Sequence, residues 1–119
     1  MFVQAPVPVC NGFGLVSLGR MAMTTYVMLV NFTDQGLRHA KDSPKRADAF
    51  KYMAEKYGAT VKDIFWTQGA YDIVTIVESP DDVTATALAL SVGALGNVRT
   101  QTLRAFSATD MKVVVDKMM

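Results

Sequence analysis

The chain has one cysteine, Cys10, one histidine, His39, and one tryptophan, Trp66. A lone cysteine excludes an intramolecular disulfide, and without a Cys/His cluster no zinc site of the usual ligand spacing can form. A reducing cytoplasm is therefore the expected location. Charge of either sign is not in excess: 12 Lys and Arg face 11 Asp and Glu, for a net charge of +1. Nothing draws such a chain toward nucleic acid or acidic lipid as a whole. A secretory leader needs a basic residue ahead of its apolar stretch, and here Arg20 comes after it. Charge is also missing locally. Residues 83–95, Val-Thr-Ala-Thr-Ala-Leu-Ala-Leu-Ser-Val-Gly-Ala-Leu, carry none. As a helix this segment spans about 20 Å, short of the roughly 30 Å of a bilayer core, so its apolar surface must be covered by protein.

What remains is the composition of a single globular domain. Half of the 119 residues are apolar and 19% are charged. Residues 1–22 have no apolar period and two closely spaced prolines, Pro6 and Pro8, and read as an irregular extension; the domain is expected over 23–119. Residues 25–32 are β-branched and aromatic over one strand length. Ser43-Pro44 then places an N-cap before a proline at the first helical position. The following helix has Ala47, Phe50, Ala54 and Tyr57 on its inner arc and Lys45, Arg46, Lys51, Glu55 and Lys56 on its outer arc, and ends at Gly58. Strands are expected over 60–68 and 71–78, joined by a short turn at Gly69-Ala70. Ser79-Pro80-Asp81-Asp82 caps the uncharged helix, Gly96-Asn97 stops it, and a strand covers 98–106. Ser107 and Asp110 resemble a capping box opening a last helix through Met111, Val114, Val115 and Met118.

The order β-α-β-β-α-β is that of an α+β, ferredoxin-like sandwich with a four-stranded antiparallel sheet, here with an extra C-terminal helix. Both faces of the first strand are apolar: Tyr26, Met28, Val30 and Phe32 on one, Val27 and Leu29 on the other. The helices of this topology pack on one face only, so the other face is expected to stack on a second copy of the chain.

The hairpin reads Phe65-Trp66-Thr67-Gln68-Gly69-Ala70-Tyr71-Asp72, and its Gly-x-Tyr-Asp turn resembles the signature of the GYD domain family. The similarity extends to 31–36, 43–46, 79–82 and 96–102. It implies a small cytoplasmic bacterial or archaeal protein similar to the dimeric α/β-barrel group, with two four-stranded sheets facing each other. It implies little about chemistry.

Candidate site residues each have two readings. Tyr71 and Asp72 serve as acid, base or ligand hydrogen-bonders in a cleft, or Asp72 pins the turn while Tyr71 packs. Trp66 floors a ligand pocket between subunits or fills the core. Asn31 is a satisfied buried amide or a pocket donor. Thr100 and Thr102, with Arg104 on the same face and Arg99 on the other, hold an anionic ligand or serve ion pairs. His39 sits in a charged, solvated stretch, and a metal or haem role would need a second ligand. The basic residues from Lys41 to Lys56 suggest RNA, but Asp42, Asp48 and Glu55 nearly cancel them, and Tyr71-Asp72-Ile73-Val74 stands where an RNA-binding signature would lie. The expectation is a homo-oligomer that binds or senses a small organic molecule, without cofactor, metal, nucleic acid or membrane. The alternative is a cofactor-independent isomerase or monooxygenase using Tyr71 and Asp72, and the third reading is a structural assembly protein.

Overall fold

The computed structural model describes residues 23–119, so the extension expected over 1–22 lies outside the described residues. The elements are β1 (Thr24–Phe32), α1 (Asp34–Arg38), a 3-10 turn (Ala40–Asp42), α2 (Ser43–Lys56), β2 (Thr60–Trp66), β3 (Ile73–Ser79), α3 (Asp82–Ala94), β4 (Val98–Ala105) and α4 (Ala108–Asp116). The strands form one antiparallel sheet in the order β2-β3-β1-β4, which is the ferredoxin-like arrangement.

Strand alternation divides the sheet into two unlike faces. Tyr26, Met28 and Val30 of β1 point toward the helices and are buried, as are Thr75, Val77 and Ser79 of β3. Met28, Val30 and Val77 meet Ala54 of α2 and Leu88 of α3 in the core, with Phe50, Met53 and Val92 packed around them. On the opposite face, Val27, Leu29, Val74 and Ile76 are half-buried, while Phe65 and Leu103 are exposed. Neither α2 nor α3 covers that face.

Helix α3 is apolar on all sides, but only one side is buried within the chain. Ala85 and Leu88 face the sheet; Val83 and Leu90 are 78% and 70% exposed. Asp81 caps its start, accepting from the Thr84 N–H at 2.8 Å. Farther along, the Tyr57 hydroxyl lies 2.6 Å from Ser91 Oγ. The C-terminal helix has the expected capping box, with Ser107 and Asp110 each accepting from the other's backbone N–H at 3.0 Å. None of its residues is buried, and Met111, Val114, Val115 and Met118 are all exposed.

Two local expectations are corrected. Ser43 is not the N-cap of α2: Asp42 holds that place without a side-chain bond, and Ser43 is the first helical residue. The β2–β3 connection is also longer than a two-residue turn, running from Thr67 to Asp72. Asp72 is drawn sideways onto β1, where its N–H donates to the Val30 carbonyl at 2.9 Å and its carboxylate accepts from the Phe32 N–H at 2.9 Å. A carboxylate thus completes a rung of the β1–β3 ladder that backbone would otherwise supply. The connection is closed by Thr67, which donates from its N–H to the Asp72 carbonyl at 2.9 Å and from its hydroxyl to the Tyr71 carbonyl at 2.6 Å. Gly69 sits in it at φ +104°, a conformation open to glycine at little cost.

Candidate functional site

A cavity of about 130 Å³ lies between the sheet and the two long helices. Its floor is Met28, Val30, Phe32, Ile64, Ile73, Thr75, Val98 and Thr100 from all four strands, and its roof is α2 and the end of α3. The cavity exists because the two helices meet each other little: the wall on the α2 side is Ser43, Arg46, Ala47, Ala49, Phe50 and Met53, and α3 contributes only Val92, followed by Leu95. Small residues at 47 and 49 leave the space that larger side chains would fill.

Polar groups enter this apolar chamber at few points. Ser43 is buried, and its Oγ accepts from the Trp66 indole N–H at 2.8 Å. Thr75 is also buried and spends its hydroxyl on the Asp63 carbonyl at 2.7 Å. Asn97 accepts from Gln35 Nε2 at 3.0 Å through its side-chain oxygen. Arg46 donates to the carbonyls of His39 at 2.9 Å and Gly36 at 3.4 Å, and its guanidinium carbon lies 5.9 Å from the centre of the Phe32 ring. That end of the cavity is fixed by α1, which is tied to the α3–β4 loop. The Thr33 N–H donates to the Asn97 carbonyl at 3.0 Å, and the Thr33 hydroxyl donates to the Gly96 carbonyl at 2.6 Å.

The candidate residues named from sequence do not converge. Thr100 lines the cavity. Thr102 shares its face, paired with Met28, but does not line the cavity. Trp66 is on the helix-covered side, 48% exposed, and reaches the cavity only through Ser43. Asn31 pairs in register with Arg99 on the open face. Tyr71 lies on that side too, its hydroxyl 3.3 Å from Gln101 Oε1, and Asp72 is engaged with the β1 backbone. The residues missed as site residues are Ser43, Arg46, Phe50, Met53 and Asn97. For Arg46 a signal existed: it precedes Phe50 by four residues and Met53 by seven, a helical spacing that puts it on the inner arc rather than the outer one.

Two ionisable groups depart from their usual behaviour: Tyr26 of β1, which is bonded to the first residue of α3, and Asp81, the N-cap of that helix. Burial pushes the Tyr26 phenol up, reinforced by its hydrogen bond to the Asp82 carboxylate. Asp81 is held below the usual carboxylate value by the Thr84 N–H it accepts. Neither lines the cavity. Among the described residues no group of three or more His, Cys, Asp or Glu side chains is placed to hold a metal ion, and no helix is long and apolar enough to cross a membrane.

The Gly-x-Tyr-Asp connection, the β1 end it is pinned to and the loop after α3 all lie within residues 26–115, which match the family model for the GYD domain. The chain belongs to the GYD domain family. A protein of Thermus thermophilus, named glutamine synthetase and cystathionine beta-lyase binding protein, is 30% identical to it over 90 residues. That alignment covers 75% of this chain and 95% of the relative, so the likeness takes in nearly all of the smaller protein. No solved structure matches this GYD-domain chain.

Proposed function

We propose that this GYD-domain protein is a homo-oligomeric small-molecule binding or sensing protein of the cytoplasm whose ligand occupies the cavity between the sheet and α2 and α3. The observation that carries the reading is the cavity itself: an apolar chamber of about 130 Å³ with a few polar groups at its margin, the usual make-up of a small-ligand site. The oligomer is a dimer in which the open sheet face, with Val27, Leu29, Phe65, Val74, Ile76 and Leu103, stacks on its counterpart. Six apolar side chains on one flat face are a self-complementary patch for a two-fold contact.

The name of the Thermus relative adds a consequence for output. Its stated partners are enzymes, and this chain has a surface suited to a protein partner in the outward side of α3, where Val83, Thr86, Ala87 and Leu90 form a strip with Asp82 at its head. In this reading the ligand state of the cavity, roofed by the end of α3, biases what docks on that strip. The enzyme alternative has less support, because Tyr71 and Asp72 are bonded to Gln101 and to β1 and neither faces the cavity.

A native mass spectrum of the full chain tests this reading. A dimer carrying a reproducible extra mass is the expected result. A bare monomer that gains no mass from a library of small organic compounds would overturn it. Asp72→Asn addresses the alternative: loss of a measured turnover with folding and assembly intact would favour an enzyme.

A further inference from the structure

The polar margin of the cavity is made of donors. Arg46 and Asn97 both line it, and they meet at Gly36, whose carbonyl accepts from Arg46 while its backbone abuts that of Asn97. A guanidinium has five N–H donors, and two are directed at the Gly36 and His39 carbonyls, leaving three. The Asn97 side-chain oxygen is taken by Gln35, while its amide nitrogen has no acceptor among the described residues. Thr100 adds a hydroxyl with no partner among the described residues.

No acidic residue lines the cavity. The ion pair found among the described residues is Lys62–Glu78, so the Arg46 charge is not neutralised by any of them. The first 22 residues contain no Asp or Glu and cannot supply the missing carboxylate. Arg46 is half-buried, its guanidinium beside the Phe32 ring, so its charge is less screened by water than that of a free surface arginine. Ser43 and Thr75 also reach the lining, their hydroxyls engaged with Trp66 and the Asp63 carbonyl, and the apolar part of the chamber includes Met28, Phe50, Met53, Ile64, Val92 and Val98, which offer dispersion contacts only.

From this division we infer that the cavity takes a small monocarboxylate with an apolar, ring-sized body, its carboxylate on Arg46 and Asn97 and its body toward Met28 and Met53. The inference rests on the reading of the cavity as a ligand site and adds the ligand class. The size follows from comparison with cavities of about 150 Å³, which hold one benzene ring. The charge follows from the donor set, since a guanidinium matches a carboxylate with two parallel hydrogen bonds. A phosphate monoester is disfavoured because its three oxygens and second charge would need a further cation, and among the described residues Arg46 is the one cation lining the chamber.

Benzoate, benzamide and benzylamine have the same ring and differ in charge, and Trp66 reports on the cavity through its bond to Ser43. Titrations followed by Trp66 fluorescence and by calorimetry, using the full chain, are expected to show benzoate binding on the order of tenfold more tightly than benzamide and benzylamine binding least. Arg46→Gln should remove the preference for benzoate, bringing its affinity down to that of benzamide on the same variant, Arg46→Lys should keep part of the preference, and Val92→Phe should abolish binding of all three by filling the chamber. Equal binding of benzoate and benzamide, or a preference that persists in Arg46→Gln, overturns the assignment of a carboxylate while leaving the cavity as a ligand site. Failure of all three compounds to bind, with no retained mass in the native spectrum, overturns both. The comparison of benzoate with benzamide on the unaltered protein decides the question even where a variant fails to fold.

Discussion

Gly36→Ala is expected to be the most damaging single-methyl addition in the domain. Gly36 is buried inside α1, and a Cβ there would lie 1.9 Å from the Asn97 carbonyl oxygen and 2.9 Å from its carbon. Both obstacles are backbone, so no rotamer change relieves them, and α1 must move outward by more than about 1 Å to restore van der Waals contact. That movement breaks the Thr33 bonds to the Asn97 and Gly96 carbonyls, costing about 2 kcal/mol for the pair, with about 2 kcal/mol of residual strain. The better helix propensity of alanine returns about 1 kcal/mol. The net loss of about 3 kcal/mol corresponds to a fall in Tm of about 12–24 °C for a domain of this size. Gly93→Ala is the matched control, since Gly93 lies in α3 and a Cβ there meets nothing within 4 Å; it should be neutral or stabilising by up to about 1 kcal/mol. Urea unfolding followed by far-ultraviolet circular dichroism and by Trp66 fluorescence measures both. A Gly36→Ala variant as stable as the parent, or a Gly93→Ala variant equally weakened, would refute the close-approach reasoning.

Three further outcomes are expected. Tyr26→Phe leaves Asp82 without its phenol partner and should lower stability by about 1–3 kcal/mol in urea titrations. Because the folded phenol is pushed up, the contribution of this pair is complete below the ordinary tyrosine value of 10.0 and is lost as pH rises beyond it, which an alkaline unfolding series in parent and variant would resolve. Asp81→Ala should cost about 1 kcal/mol as a lost N-cap; since the folded carboxyl is held below 3.8, the cap contributes fully above that pH and fades as acid titrates it, so parent and variant should converge in stability at low pH. Asp72→Ala leaves the Phe32 N–H without its acceptor and should cost about 1–3 kcal/mol, with faster exchange of the Phe32 amide as the local signature; unchanged exchange would show that the rung is not held by the carboxylate.

The architecture was legible because it depends on periodicity and punctuation. β-branched and aromatic content marked the first strand and turn signals bounded the others, Gly58 and Gly96 adopt the positive φ their positions demanded, and Ser107 with Asp110 read directly as a capping box. What sequence left hidden depends on contacts between distant segments. Asp72 reads as a strand residue until Phe32 is seen to need its oxygen, 40 positions away. Gly36 reads as one more turn glycine, and only the approach of Asn97 makes it obligatory. The cavity is a residual volume left between elements that do not quite meet, so no local pattern announces it. Tyr71 and Asp72 stand out because they belong to the Gly-x-Tyr-Asp turn, whereas Arg46 is concealed among charged neighbours on a helix where charge is common.

The lack of amphipathicity in α3 has a consequence for how this helix is seated. The buried pair Ala85 and Leu88 is repeated two positions later by Ala87 and Leu90, so turning the helix by about 200° about its axis would offer the sheet the same two side chains. Over this first half of the helix apolar burial does not choose between the two seatings, whereas farther along Ala89 and Val92, which pack on the core, would give way to Ser91 and Ala94. The choice is sharpened by polar pins that exist in only one of them: the Tyr26–Asp82 bond at one end and Tyr57 against Ser91 farther along. Such bonds deepen the native well and, being absent from the turned seating, also widen its separation from that neighbouring arrangement. Removing both hydroxyls, Tyr26→Phe with Tyr57→Phe, would then produce a doubled set of α3 resonances rather than simple unfolding, and the outward strip of Val83, Ala87 and Leu90 would cease to be one defined surface.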